Sequence, residues 1–287
     1  MKGIILAGGT GSRLWPLTIP TSKQLLPIYD KPLIYYPLST LMLAGIRDIE
    51  IITTPQDQES FRLLLGDGSA FGVNLSYVIQ PNPEGLAQAF LVCEEFLKNS
   101  NCALILGDNL FDGAFQRGLG LFNDSSIGSQ IFAYKVSNPK DYGVVSFNAD
   151  GKAIGIEEKP SEPKSSYAVP GVYFYDSSVV ERAKRLKPSP RGELEITDLN
   201  LSYLADGLLN VNVIPQGSAW LDTGSFETMN DASNYVRVLE DRQGQKIGCI
   251  EEIAWRSGWI SDHQLLQSAD KYGKNGYGRY LANLMEL

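Results

Sequence analysis

The sequence predicts an α/β protein built on a mostly parallel sheet with helices on both faces. Two observations carry this. Across the first half of the chain, short apolar runs alternate with helical patterns of about a dozen residues, which is the signature of strand–helix–strand units. Two of those runs end in turns of unusual chemistry, at 7–13 and 107–109. In open parallel sheets, ligands bind at the carboxyl ends of the strands, which is where both turns fall. A third observation qualifies the first two. After residue 127 the texture changes to strand-like segments that read as antiparallel.

The elements follow in order. Residues 2–6 (KGIIL) read as a short buried strand, closed by the turn AGGTG at 7–11. Pro32 and Gly45 bracket a helical segment, and Pro37 inside it is expected to kink or weaken that helix. Residues 48–53 form the next strand, 57–65 a helix, 75–80 a strand, and 86–97 carry apolar residues at helical spacing. Residues 102–107 are another continuous apolar run, closed by Asp108. Beyond residue 127, GSQIFAYKV, YGVVSFNAD, KAIGIEE and YAVPGVYFYD read as strands, and Asp150-Gly151 signals a hairpin. Helices are expected at 177–186 and 194–206, then the strand VNVIP and the motif AWLDTG at 219–224. From Ser225 onward the pattern is mainly helical. With no repeat, low-complexity tract or linker, 1–287 reads as a single domain: a core of about 1–240 and a helical C-terminal segment of about 241–287. Those last helices are expected to cover the core or to meet another subunit.

Composition narrows the function classes. The 287 residues suffice for a large α/β core, and 43% hydrophobic with 20% charged residues is ordinary for a soluble globular chain. The net charge of −8 gives no general attraction for nucleic acid or an anionic membrane, so neither is an expected partner. An anionic substrate must therefore be met by a few local cations. Cys93, Cys102 and Cys249 form no C-x-x-C pair and sit in apolar stretches, which implies buried, reduced thiols. The N-terminus carries no run long enough for a signal peptide, and no stretch approaches a membrane span, so a cytoplasmic location is expected.

The chemistry starts at GGTGSRL, residues 8–14. Consecutive glycines let the backbone approach a bound anion, and exposed N–H groups there favour phosphate. Leu14 stands where a dinucleotide fingerprint needs its third glycine, and no Gly-Lys-Ser/Thr follows, so this is neither a Rossmann dinucleotide loop nor a Walker loop. Its distinguishing feature is Arg13. A glycine turn alone is as easily a tight strand-to-helix connection with a surface arginine. Lys23, in the proline-stiffened SKQLLPIYDKP, gains meaning as a second cation able to converge on a polyphosphate. Asp108 ends a strand and Asp222 sits in WLDTG; each alone is an ordinary turn residue, but together they would form a hard oxygen site of the kind that holds Mg²⁺ in phosphate-handling enzymes. His263 is the single histidine, so no Ser-His-Asp triad or histidine-rich zinc site can be assembled. A phosphate monoester, with a second pKa near ~6, is already an anionic nucleophile at neutral pH. Joining it to another phosphate needs charge neutralisation and alignment rather than a base.

Taken together, KGIILAGGTGSRL, SKQLLPIYDKPLIYYPLSTLMLAGIR, TPQDQESFRLLLGDGS, IQPNPEGLAQAF, LILGDNLF, YGVVSF, IEEKP, LKPSPRGELEITD and AWLDTG resemble the sugar-phosphate nucleotidyltransferases. They run in order over nearly the whole chain. GGxGxR and EKP are shared across that family, while SKQLLP, QPxPxGLAQA and SPRGELEITD are specific to its glucose-1-phosphate thymidylyltransferase branch. The resemblance implies a Rossmann-like core with an added β-rich sugar-binding part and C-terminal helices. It implies dTTP and glucose 1-phosphate as substrates, dTDP-glucose as product, Mg²⁺ as cofactor, and a homotetramer under feedback control. It assigns the triphosphate to Gly8, Gly11 and Arg13 with Lys23 beside them, the thymine edge to Gln80 and the backbone at Gly85, and Mg²⁺ to Asp108 and Asp222. Tyr142, Gly143, Glu158, Val169 and Tyr173 would line the sugar pocket, and Lys159 would hold the phosphate of glucose 1-phosphate. Two departures stand out: Pro170, which removes an N–H beside the sugar pocket, and FDGAFQRGL at 111–119, which differs from the aromatic-rich segment associated with the family's second nucleotide site. A uridylyltransferase of the same fold and a non-catalytic nucleotide-sugar sensor remain as alternatives; retention of Arg13, Lys23, Asp108 and Asp222 speaks against the sensor.

Overall fold

The apolar run at the N-terminus becomes the middle of the sheet. The computed structural model describes residues 1–113, 115, 119 and 122–285. In chain order its first half holds β1 (Lys2–Ala7), the short hairpin β2 (Pro27–Ile28) and β3 (Lys31–Pro32), α1 (Tyr35–Leu43), β4 (Asp48–Thr53), α2 (Gln58–Leu65), β5 (Asn74–Ile79), α3 (Gln88–Val92), α4 (Glu94–Leu97) and β6 (Cys102–Leu106). The second half holds β7 (Asn109–Asp112), β8 (Ser129–Lys135), β9 (Gly143–Phe147), β10 (Ala153–Glu158), β11 (Tyr167–Ala168), β12 (Val172–Tyr175), α5 (Val179–Lys184), α6 (Ile196–Ala205), β13 (Leu209–Val213) and β14 (Ala219–Asp222). Four helices finish the chain: α7 (Phe226–Gln243), α8 (Ile250–Arg256), α9 (Asp262–Tyr272) and α10 (Gly276–Asn283).

Among the described residues, ten strands form one sheet in the order β10-β9-β11-β8-β12-β6-β1-β4-β5, with β13 paired to β8. β6, β1, β4 and β5 are mutually parallel, whereas β12, β11, β9 and β10 join by antiparallel pairing. Read across the sheet, the four parallel strands come third, second, first, fourth in the chain. Strand order therefore reverses between β1 and β6, and in a Rossmann-like sheet the crevice at that reversal is the ligand site. The expected fold class is present, including its antiparallel second half.

The sheet is buried on both sides, which is why its inner strands read as continuous apolar runs. On one face Ile5, Ile51 and Ile105 pack with Leu38 of α1 and with Ile250, Leu265 and Leu281 of the C-terminal helices. On the other, Ile4, Ile52 and Leu104 meet Phe90 of α3 and Leu199 and Tyr203 of α6. Truncating such a residue to alanine costs about 2–5 kcal/mol. All three cysteines are buried and free. No helix among the described residues is long and apolar enough to cross a membrane.

Three local expectations change. Pro37 does not kink α1, because the helix starts at Tyr35 and places Pro37 in the first turn, where an N–H has no intrahelical partner to lose. The helical stretch 86–97 is two short helices separated at Cys93, whose φ of −96° and ψ of 15° leave the helical region. YAVPGVYFYD is two strands, β11 and β12: Pro170 lacks a ladder donor, and Gly171 instead gives its N–H to Asn109 Oδ1 at 3.2 Å.

The C-terminal helices are also held by charge. Lys31 Nζ donates to Asp30 Oδ1 at 2.5 Å and to Glu240 Oε1 at 2.9 Å, and Lys246 Nζ binds Glu240 Oε2 at 2.9 Å and also the Asp30 carboxylate. Two cations thus balance two carboxylates, and removing one partner from such a buried set strands the rest. Burial pushes the Asp30 carboxyl up, but the charge of Lys31 and the hydrogen bonds from Lys246 and Lys31 outweigh it, and its pKa ends below the ordinary 3.8. A carboxylate depressed in the folded state stabilises above its unfolded pKa, and that stability is lost as pH falls through the folded value. Asp30→Asn is therefore expected to lower the melting temperature at neutral pH and to flatten its fall below pH 3.8. Melting curves across that range check this; an unchanged acid limb contradicts it.

Candidate active site

The turn after β1 reaches the crevice because of two local features. Gly11 takes a left-handed φ of 62°, and its carbonyl accepts from Thr18 Oγ1 at 2.7 Å. The chain then makes one 3-10 turn, Ser12–Leu14, that buries Leu14 and leaves Arg13 on the open side. Behind this turn Gly8 lies against Gln80, so close that a Cβ would sit 2.5 Å from the Gln80 amide oxygen.

Opposite stands the end of β6. Lys23, almost completely buried, forms an ion pair with Asp108 Oδ2, while Asn109 Nδ2 donates to Asp108 Oδ1 at 2.9 Å. Asp222 arrives from β14, which pairs antiparallel with β7 so that Asp222 lies opposite Asn109. The next residue ties back as well: Thr223 donates from its N–H at 3.2 Å and from its hydroxyl at 2.9 Å to the carbonyl oxygen of Asp108. The Asp222 carboxyl is pushed up, first by burial and then by the charge of Asp108, with Lys23, Arg13 and the Gly224 backbone opposing. The Arg13 guanidinium lies beside Gly224, where an added Cβ would be 3.4 Å from it, and it acts on the Asp222 carboxylate through its charge.

These residues fit a divalent cation. Among the described residues no group of three or more His, Cys, Asp or Glu side chains is arranged to hold a metal ion, so the candidate ligands here are the two aspartates. Two converging carboxylates, one of them held above its ordinary pKa, supply the hard oxygens that Mg²⁺ takes when substrate and water complete its shell.

The far wall comes from the antiparallel strands. β9 and β10 pair so that Gly143 lies opposite Glu158. Glu158 Oε2 accepts from Thr197 Oγ1 at 2.7 Å, and Arg191 Nη2 stands 3.6 Å from Oε1. Lys159 follows with a φ of 42°, a left-handed conformation for a residue with a side chain, pinned by its N–H to the Tyr142 carbonyl at 3.0 Å. Such strain costs on the order of 1–3 kcal/mol and concentrates at functional sites. Tyr142 packs on Trp220 with ring centroids 5.0 Å apart. Tyr173 is buried, and burial together with the charges of Glu158 and Asp108 pushes its hydroxyl up, so it stays a neutral donor.

The two walls enclose a cleft of about 510 Å³. Gly11, Arg13, Lys23, Asp108, Tyr142, Gly143, Glu158, Lys159, Val169, Tyr173 and Asp222 all line it. Gly8, Gln80 and Gly85 do not. Gln80 is buried and gives its amide to Gln88 Oε1. Gly85, at φ 102°, presses against Leu194, whose carbonyl oxygen would be 2.4 Å from an added Cβ. That contact, with Leu194 N–H donating to the Glu84 carbonyl at 2.7 Å, fastens the 84–87 turn to the loop that leads into α6. The sequence reading passed over Asn109, Thr197, Trp220 and Thr223, and gave Arg191 no role although it stands in SPRGELEITD. An arginine followed closely by Glu193 and Glu195 was the available signal. Arg191 binds Glu195 at 2.8 Å and lines the cleft.

Comparison with known proteins agrees with this geometry. A family profile described as nucleotidyl transferase matches residues 2–238. A glucose-1-phosphate thymidylyltransferase of Mycolicibacterium smegmatis is 60% identical over 100% of this chain and 99% of its own length. One from Neisseria meningitidis serogroup A is 56% identical over 100% of both. Among solved structures, a Bacillus anthracis protein assigned as a glucose-1-phosphate thymidylyltransferase, in complex with a sucrose, superposes with a TM-score of 0.77 at 44% identity, over 83% of this chain and 95% of that one. A UDP-glucose pyrophosphorylase complexed with UDP-glucose gives 0.73 at 26% identity, over 83% and 98%. With that profile spanning the sheet and the whole cleft, and with such relatives matched end to end, the chain belongs to the nucleotidyl transferase family, and the glucose-1-phosphate thymidylyltransferases are near relatives within it.

Proposed function

We propose that this chain transfers the dTMP moiety of dTTP to glucose 1-phosphate, releasing pyrophosphate and forming dTDP-glucose, in one in-line displacement. The observation that carries the proposal is the placement of Asp108, Asp222, Lys23 and Arg13 on one wall of a single cleft, with Lys159, Glu158 and Arg191 on the other. One wall suits a triphosphate and the other a sugar phosphate. Mg²⁺ held by Asp108 and Asp222 would neutralise charge on the triphosphate. Arg13 offsets charge growing on the leaving pyrophosphate, and Lys159 places the incoming phosphate. That phosphate is already anionic, so no residue need act as a base. Tyr173 and Glu158 face the sugar, a neutral donor and an acceptor for hydroxyl groups.

The rival within the family is a uridylyltransferase. Thymine and uracil differ by one methyl, and a methylene-sized group discriminates by only about 10–200-fold, so some turnover of UTP is expected. The higher identity of the thymidylyltransferase relatives, 60% against 26% for the UDP-glucose enzyme, supports dTTP as the preferred substrate. The same reading includes a single 1–287 unit, a cytoplasmic location, a homotetramer, and end-product inhibition by a dTDP-sugar in a deoxysugar pathway. Trp255 and Trp259 in the C-terminal segment have partners within the chain: Trp255 Nε1 donates to Asp262 at 2.8 Å, and Arg47 stacks on Trp259 at 5.3 Å. Support for assembly is therefore the family resemblance alone. The segment 111–119 lies in part outside the described residues.

Three outcomes are expected. In a matrix of nucleoside triphosphates and sugar 1-phosphates, pyrophosphate release is greatest with dTTP, glucose 1-phosphate and Mg²⁺ together; binding of both substrates without release under any divalent metal would favour the sensor. Arg13→Ala lowers kcat by about 10²–10³, as loss of a charge-stabilising donor does, Lys159→Ala mainly raises the KM for glucose 1-phosphate, and His263→Ala, outside the cleft lining, leaves the rate unchanged. Equal steady-state constants for Arg13→Ala and the parent would remove Arg13 from the mechanism. Light scattering shows a tetramer; a monomer at working concentration removes the assembly claim.

A further inference from the structure

The ladder that brings Asp222 to Asp108 ends where the two carboxylates begin. β7 and β14 form a two-stranded sheet of their own, and its last pair is Asp222 opposite Asn109. A two-stranded ribbon is marginal in water and opens first at its ends. This end also carries two like charges, whose repulsion pushes the strands apart. Something must hold the ladder closed one step beyond its last pair.

Thr223 occupies that step. It is fully buried, and it gives two hydrogen bonds to a single acceptor: N–H at 3.2 Å and hydroxyl at 2.9 Å, both to the carbonyl oxygen of Asp108. A carbonyl oxygen has two lone pairs, so one residue fills both. The branched Cβ limits χ1 and keeps the hydroxyl aimed. On the other side of the pair, Trp220 Nε1 donates to Asn109 Oδ1 at 2.6 Å, a side-chain bond between the two strands. All three bonds resist the repulsion without adding charge to the cleft.

We propose that Thr223 is a positioning residue: its pair of hydrogen bonds to the Asp108 carbonyl fixes the spacing of the Asp108 and Asp222 carboxylates, and with it the affinity for the divalent cation. The inference rests on the reading of those two aspartates as the cation pair. A side chain that only stabilised the fold would change the melting temperature. A positioning residue changes cation affinity in protein that is still folded.

The test uses the full chain as parent, Thr223→Val and Thr223→Ser, with Mn²⁺ as the probe. Free Mn²⁺ is measured by electron paramagnetic resonance in the presence of α,β-imido-dTTP, alongside melting curves and steady-state kinetics. Thr223→Val removes the hydroxyl donor and is expected to weaken Mn²⁺ binding by about ten-fold or more, the usual effect of losing an outer partner of a metal ligand. It lowers kcat and leaves the KM for glucose 1-phosphate in place. Thr223→Ser restores the donor and the parent's affinity. A folded Thr223→Val that binds Mn²⁺ as tightly as the parent overturns the proposal, and so does a Thr223→Ser as weak as Thr223→Val. If the valine variant does not fold, Thr223→Ala carries the same comparison. A parent that binds no Mn²⁺ with the nucleotide overturns the cation reading itself, and this inference with it, which separates the two failures.

Discussion

Asp108 and Asp222 are like charges held close together at the ends of two strands, and much of the surrounding structure answers the repulsion between them. Lys23 is buried beneath Asp108 and pairs with it. The charge of Arg13, beside Gly224, acts on Asp222. Asn109, Trp220 and Thr223 lock the two strand ends to each other. Even so, the Asp222 carboxyl stays above its ordinary pKa. A site left under that electrostatic load favours whatever brings positive charge, and in the proposed reaction a cation chelated to the polyphosphate would do so. The cleft is thus organised for charge neutralisation, which is what a reaction between two phosphates needs most.

Placement of this pair depends on the sheet. β1 and β6 are adjacent and parallel, and strand order reverses between them, so the turn bearing Arg13 and the strand end bearing Asp108 open into one crevice. The second half of the chain adds antiparallel strands to the β6 side, beginning with β12. That extension carries Glu158, Lys159 and Tyr173 to the opposite wall. The parallel half therefore supplies the wall proposed for the triphosphate and the antiparallel half the wall proposed for the sugar phosphate, with one cleft between them.

Much of this was legible in the residues. Both site turns were placed at strand ends from the spacing of apolar runs, because a strand buried on both faces leaves an unbroken hydrophobic signal. The Asp150-Gly151 hairpin between β9 and β10 was equally plain. Segments shaped by tertiary context were not. Pro37 read as a kink inside the helix because no capping residue marks where the helix starts; Ile34 at that start provides no side-chain cap. The strand around Pro170 read as continuous because its break is fixed by Asn109, more than sixty residues away. In the site, the charged groups were found and their partners were not. Arg13, Lys23, Asp108 and Asp222 announce themselves by charge within glycine- or proline-rich context. Thr223 and Asn109 act through hydrogen bonds that only the folded chain reveals. Gln80 and Gly85, assigned to the nucleotide base by resemblance, are not among the residues that line the cleft; Gly85 takes a φ of 102° and packs against Leu194.

The account's central claim is that the cleft aligns two phosphates for direct transfer, without a covalent intermediate on the protein. The stereochemistry at the α-phosphorus tests it most directly. With dTTP carrying a single sulfur of defined configuration at that phosphorus, one in-line displacement gives dTDP-glucose with inverted configuration. Retention would mean two displacements through a nucleotidyl-enzyme, and would contradict the account.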